Sequence, residues 1–150
     1  MTISKIHFSS VRSDWATPRD FFARLDEEFH FTLDACANEN TACCPRFITP
    51  DENAFFLDWP GTVFLNPPYG RKIGRWIAKA YHESKKGATV VCLLPSRTDT
   101  AWFHDLCVKG EIRFIRGRLY FDDSGKRAPF PSMIVIFRPI LVPLKDGEGK

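Results

Sequence analysis

A chain of 150 residues with 44% hydrophobic content is one domain's worth of sequence, and its 14 phenylalanines are enough for a real core. The 21 Lys and Arg against 18 Asp and Glu leave +3, a mild bias that is compatible with a nucleic-acid partner without pointing to one. Five unpaired-looking cysteines, no apolar stretch of signal length in Met1–Phe8 and a longest apolar run of only Ala88 to Pro95 exclude a secreted disulfide scaffold and a bilayer span.

In chain order, Thr17-Pro18 opens a helix, with Thr17 as its cap, Pro18 at its first position, and Phe21, Phe22, Leu25 and Phe29 at helical spacing. Phe29 to Ala35 reads as the first strand, Asn38 to Pro45 as irregular, Arg46 to Thr49 as a short second strand and Asp51 to Asp58 as a loop. The cysteines at 36, 43 and 44 lack C-x-x-C spacing and read as reduced, partly buried thiols rather than a metal site. Thr62 to Leu65 is a strand. A helix follows from Lys72 to Lys85, with Ile73, Trp76, Ile77 and Ala80 on one face and Gly87 as its stop. Ala88 to Leu94 is apolar throughout, as a strand buried on both faces must be. Asp99 to Val108 reads as a helix stopped by Gly110. Glu111 to Ile115 is a strand, Asp122 to Gly125 a turn, Lys126 to Pro131 a loop and Ser132 to Phe137 the last strand. Residues 138–150 form a flexible tail, frayed from Lys145 onward. The alternation predicts a single α/β domain over 1–150, built on a reduced, mostly parallel, doubly wound sheet.

The most informative segment is Asn66-Pro67-Pro68-Tyr69, directly after the apolar run Val63-Phe64-Leu65. Proline donates nothing to a sheet ladder, so this stiff loop lies beyond the strand's carboxyl end, where open α/β sheets bind ligands. It offers an amide oxygen on Asn66, a carbonyl on Pro67 and an aromatic face on Tyr69. An exocyclic amine on a purine is a weak nucleophile because its lone pair is delocalised into the ring. Acceptors that hold its N–H hydrogens and favour a more tetrahedral nitrogen are what alkylation of such an amine needs. By itself the loop leaves adenine, cytosine and glutamine amines equally open.

Other segments narrow this. Trp15-Ala16-Thr17-Pro18, Phe31 to Asn38, Asp58-Trp59, Trp76 to Ala80, Leu93 to His104, Gly117 to Phe121 and Ala128 to Ser132 occur in one order with the Asn-Pro-Pro-Tyr loop. Across roughly residues 13 to 137 the chain resembles the phage-type DNA N-6-adenine methyltransferase (Dam) family. The resemblance implies a Rossmann-like class I fold and the cofactor S-adenosylmethionine (AdoMet). It also implies double-stranded DNA as partner, with an adenine flipped from the duplex and held by Asn66, Pro67, Pro68 and Tyr69. A bacterial host cytoplasm, with phage or prophage origin, goes with it.

The cofactor side has no G-x-G-x-x-G. By the resemblance, Leu33 to Ala37 replaces the glycine-rich loop, with small Ala35 and Ala37 admitting a ligand to the backbone. Asp34 either pairs with the cationic amino-acid group of the cofactor or caps a turn. Cys36 and Asn38 extend this edge, and Trp15, Thr17 and Pro18 are expected to close over the methionine part. Asp58 is either an acceptor for the cofactor's adenine N6–H or a solvated turn acid.

Cations follow the strand ends. Arg71, Lys72 and Arg75 come after the motif; Arg97, Thr98 and Asp99 follow another strand; Arg116 and Arg118 alternate with apolar residues. Each group reads as a solvated face or a phosphate contact, and together they suit a shared DNA footprint. No insert is long enough for a separate recognition domain. Sequence selectivity is then loose, or depends on the loops at 97–100 and 116–131, or is supplied by a partner subunit or a second copy. The other readings are a different amino-methyltransferase, acting on RNA adenine, cytosine N4 or protein glutamine, and a non-catalytic nucleic-acid-binding protein.

Overall fold

The computed structural model describes residues 15–121 and 127–140; the amino end, the turn at 122–125 and the tail from 141 lie outside the described residues. The elements are α1 (Arg19–Phe29), β1 (Leu33–Asp34), β2 (Thr62–Leu65), α2 (Ile73–Lys85), β3 (Thr89–Pro95), α3 (Ala101–Asp105), a 3-10 turn (Cys107–Lys109), β4 (Glu111–Phe114) and β5 (Ser132–Phe137). The strands form one five-stranded sheet in the order β1-β2-β3-β5-β4.

The sheet keeps the expected mostly parallel character with one reversed strand: β1, β2 and β3 are parallel, and β5 runs antiparallel to both β3 and β4, so the sheet is mixed. β4 and β5 are sheet neighbours with no crossover helix among the described residues between them, and they run antiparallel. Because β5 opposes both neighbours, β4 points the same way as β3. The carboxyl ends of β1 to β4 and the start of β5 therefore share one edge.

β3 and β5 are the centre of the core. Every residue from Val90 to Phe137 that they pair is buried, Val90↔Phe137 through Pro95↔Ser132. That is the environment an unbroken apolar run requires.

Several boundaries move from the sequence expectation. Pro18 is itself the cap of α1, in extended conformation, and Thr17 makes no capping bond. His30 takes a left-handed conformation (φ 56°) and its N–H bonds the Asp26 carbonyl, which ends α1 at Phe29. The Asp26 carboxylate accepts from Phe31 N (2.8 Å), so strand pairing starts only at Leu33. The apolar pattern over 29–31 serves ring packing instead: Phe31 meets Phe22, Phe29 and Phe64 at 5.3–5.7 Å. The segment 46–49 lies beside β1 as a single bridge, Asp34↔Phe47, with Ile48 N donating to Asp34 O (2.9 Å). α3 is shorter than expected because Leu106 leaves helical geometry and the chain tightens into the 3-10 turn.

The approach to β2 is pinned by a buried carboxylate. Glu83 on α2 accepts from Trp59 N (2.7 Å), Lys79 Nζ (2.9 Å) and Lys86 Nζ (3.1 Å). Burial pushes its pKa up, but these donors outweigh burial and hold it below the ordinary carboxylate value. Gly61 then turns the chain into β2 at φ +86°, where an added Cβ would sit 2.6 Å from Thr32 Oγ1.

Candidate active site

β2 delivers Asn66 to the shared carboxyl edge. The Asn66 Nδ2 group donates to the Trp15 carbonyl and to Thr17 Oγ1 (3.0 Å). Its Oδ1 is buried and has no hydrogen-bond partner. A buried acceptor left open costs stability, so its presence at a strand end marks a place prepared for a donor.

Pro67 is buried behind this group and Pro68 half-buried. Tyr69 is buried, and its hydroxyl donates to the Leu93 carbonyl (3.0 Å). Burial pushes the Tyr69 pKa well up, so it stays a neutral donor. Its ring meets Phe130 edge-on at 5.6 Å and Phe121 at 6.3 Å, and Trp15 meets the same two rings at 5.3 and 5.5 Å. These rings, held rigid by one another, back a cavity of about 560 Å³ that Trp15, Tyr69, Arg97, Thr100, Trp102 and Phe130 help to line. A nucleobase is of the size and flatness such a cavity takes.

A second cavity of about 120 Å³ lies on the amide side, lined by Trp15, Thr17, Asp34, Cys36, Asn38 and Asn66 among others. Trp15 therefore borders both cavities. The smaller one shares Cys36, Pro50 and Pro68 with a cleft of about 500 Å³, whose walls include Ile48, Asp51, Phe55 and Trp76. Small and large compartment together suit an elongated ligand with a polar end and a flat apolar end.

Asp34 sits at the polar end, only 3% exposed. Burial raises its pKa from 3.8 to about 6, although its oxygens accept from Cys43 N (3.0 Å) and Cys36 N (3.3 Å). A carboxylate in that condition gains from a cation brought into the cavity. Burial, with the Asp34 charge behind it, pushes the Cys43 and Cys44 thiols up to about 12, so both are protonated at neutral pH.

The other sequence candidates distribute as follows. Ala35 is buried, its N–H on the Phe64 carbonyl (2.9 Å), and Pro18 caps α1 just outside the small cavity. Asp58 is not brought to the site: its side chain is 80% exposed and paired with Lys86 (2.6 Å). The reason is that Glu83 draws the neighbouring Trp59 inward, which turns Asp58 out. Lys72 and Arg75 border the 500 Å³ cleft, with the Arg75 guanidinium 4.2 Å from the centre of the Phe55 ring, while Arg71 is exposed. Arg97 borders the aromatic cavity, 5.9 Å over Phe130, and Thr98 and Asp99 are exposed beside it. Arg116 is exposed, and Arg118 borders an outer groove with Pro18, Arg24 and Tyr120. Sequence reasoning missed Pro50, Asp51, Phe55, Phe121 and Phe130 as cavity or ring partners. The one available signal was aromatic density in loops, where a core role is not required.

A family model described as DNA N-6-adenine-methyltransferase (Dam) matches residues 4–146. The chain belongs to this family. A DNA N-6-adenine-methyltransferase of Haemophilus phage HP1 (strain HP1c1) is 35% identical over 137 residues, which is 83% of this chain and 78% of the phage protein. A DNA N-6-adenine-methyltransferase of Escherichia phage T1 is 34% identical over 120 residues, 77% of this chain; the match spans 50% of the T1 protein's length. Among the described residues of this family member, no helix is long and apolar enough to cross a membrane.

Proposed function

We propose that this chain is a DNA methyltransferase that transfers a methyl group from AdoMet to the N6 nitrogen of adenine in double-stranded DNA. The observation that carries this reading is the open, buried acceptor Oδ1 of Asn66, on a residue that lines the cavity holding Asp34, while Trp15 joins that cavity to the one walled by aromatic rings. The family membership supplies the reaction class. The parallel β1-β2-β3 unit, with its cavities at the carboxyl edge, supports a reduced Rossmann-like class I arrangement.

The residues fit the cofactor. Asp34 receives the ammonium end, Ala37 and Asn38 line its path, and the Ile48, Phe55 and Trp76 cleft takes the flat base. When bound, AdoMet supplies an electrophilic methyl on a sulfonium. The chain's own work is positioning. A flipped adenine enters the aromatic cavity against Tyr69, whose ring the Leu93 carbonyl holds in place. Asn66 Oδ1 and the Pro67 carbonyl accept the two N6 hydrogens, which favours pyramidal nitrogen with its lone pair free to attack. The amide is neutral and cannot take the proton; as the nitrogen–methyl bond formed, the methyl–sulfur bond would break with its electron pair left on sulfur, and the N6 proton would go to solvent. Arg97 at the mouth of this cavity meets the DNA backbone.

The test is incubation with tritiated AdoMet and unmethylated duplex DNA, followed by nucleoside analysis. Label on N6-methyladenine is the expected result. Label on cytosine or on protein alone, or no AdoMet binding by calorimetry, refutes the reading.

A further inference from the structure

We infer that Thr17 is a positioning residue for the transfer: its hydroxyl locks the Asn66 amide with the oxygen facing the substrate amine. The inference rests on the proposed amine methylation and adds to it a residue acting through Asn66.

The two ends of an asparagine amide are nearly equal in shape, and rotation exchanges acceptor for donor. An amide that presented its NH2 to an adenine N6 would set donor against donor and lose the transition-state contact. Both hydrogens of Asn66 Nδ2 are occupied, one by the Trp15 carbonyl and one by Thr17 Oγ1 at 3.0 Å. The carbonyl accepts only, so it sets the sense of the amide. A single acceptor still leaves the amide free to swing about that one bond, and the second acceptor fixes its plane.

A hydroxyl is both donor and acceptor, so the Trp15 carbonyl, which only accepts, sets the sense of the contact: Asn66 Nδ2 donates and Thr17 Oγ1 accepts. Thr17 is itself 9% exposed, so water does not readily substitute for its oxygen.

The test compares Thr17→Val, which keeps shape and removes the hydroxyl, with Thr17→Ser, which restores it. Expected for Thr17→Val is a fall in kcat of about tenfold that exceeds any loss of AdoMet affinity by calorimetry, with Tm close to that of the unsubstituted protein. Thr17→Ser recovers most of the loss. In the protein alone, labelled with ¹⁵N-asparagine, the Asn66 side-chain amide protons exchange faster in Thr17→Val and return toward the original rate in Thr17→Ser. An unchanged kcat, a loss that follows AdoMet affinity, or a serine variant as poor as valine overturns the inference. If the unsubstituted protein methylates no adenine, the functional reading falls, and the amide exchange rates alone then decide whether Thr17 locks Asn66.

Discussion

Replacing Asp34 by Asn separates the cost of the buried carboxylate from its use. The carboxyl is 3% exposed, and burial lifts its pKa from 3.8 to about 6. The folded protein therefore holds this proton more tightly than the unfolded chain. Stability is fully present below the unfolded value and is lost as pH rises through about 6. The loss for that rise is about 3 kcal/mol, complete by about pH 7. Asn cannot ionise, so its stability relative to the original protein should climb by about 3 kcal/mol from pH 4 to pH 7. A pH-independent penalty of about 1–3 kcal/mol offsets this, because an NH2 group replaces one of the oxygens that accept from Cys36 N and Cys43 N. Urea unfolding of both proteins at half-unit pH steps isolates the pH-dependent part. A stability difference flat to within about 0.5 kcal/mol across that range refutes the argument. AdoMet affinity supplies the second half of the prediction: in the original protein it should weaken about tenfold between pH 7 and pH 5, and in Asp34→Asn it should be weak throughout.

Asn66→Ala removes the open acceptor while leaving the β2 core intact, so methyl transfer should fall by about 10²–10³ with Tm nearly unchanged; transfer within about fivefold of the original contradicts its role. Arg97→Ala should weaken DNA binding and lower the salt dependence by about one released counterion, read by anisotropy at several salt concentrations. Arg75→Ala, whose guanidinium lies over Phe55 in the cleft, should instead weaken AdoMet binding and leave the salt slope alone. Glu83→Gln should cost about 2–3 kcal/mol at pH 7, measured by urea unfolding. Because the Glu83 pKa is held low, that cost should shrink as pH falls below about 4.5.

The sequence carried the elements whose residues have only one use. Thr62 to Leu65 and Ser132 to Phe137 were legible at their observed bounds, and the α2 and β3 expectations needed shifts of one residue, because uninterrupted apolar runs and a one-faced helix admit no other burial. The direction of β5 was not legible: the residues of a buried strand read the same whichever way it runs. The end of α1 was obscured because Phe29 and Phe31 are apolar for the sake of Phe22 and Phe64 rather than for a strand. That Asn66, Asp34 and Trp15 gather at one cavity was legible because a polar group or a large ring at a strand end or a helix entry has few other uses. Of the two readings of Asp58 the structure fits the solvated turn acid, because Glu83 holds the backbone of Trp59 and leaves Asp58 outside. The packing of Phe121 and Phe130 against Tyr69 was not legible, because nothing local reports that a loop folds back over another strand's end.

The insertion of β5 between β3 and β4 has a kinetic consequence. During synthesis four of the five strands have emerged by Phe114, yet β3 has no neighbour on one side until residues 132–137 are made. Until then the run from Val90 to Leu94 is an open apolar edge, the kind that captures other nascent chains. The β4–β5 pairs lie closer in sequence than the β3–β5 pairs, so β4 and β5 are expected to pair before β5 docks onto β3. The cavity walled by aromatic rings is complete only once that docking is finished, since Phe121 and Phe130 ride on the same connection. A destabilised β5 should therefore show itself first as aggregation during expression, before any loss of affinity in the folded protein.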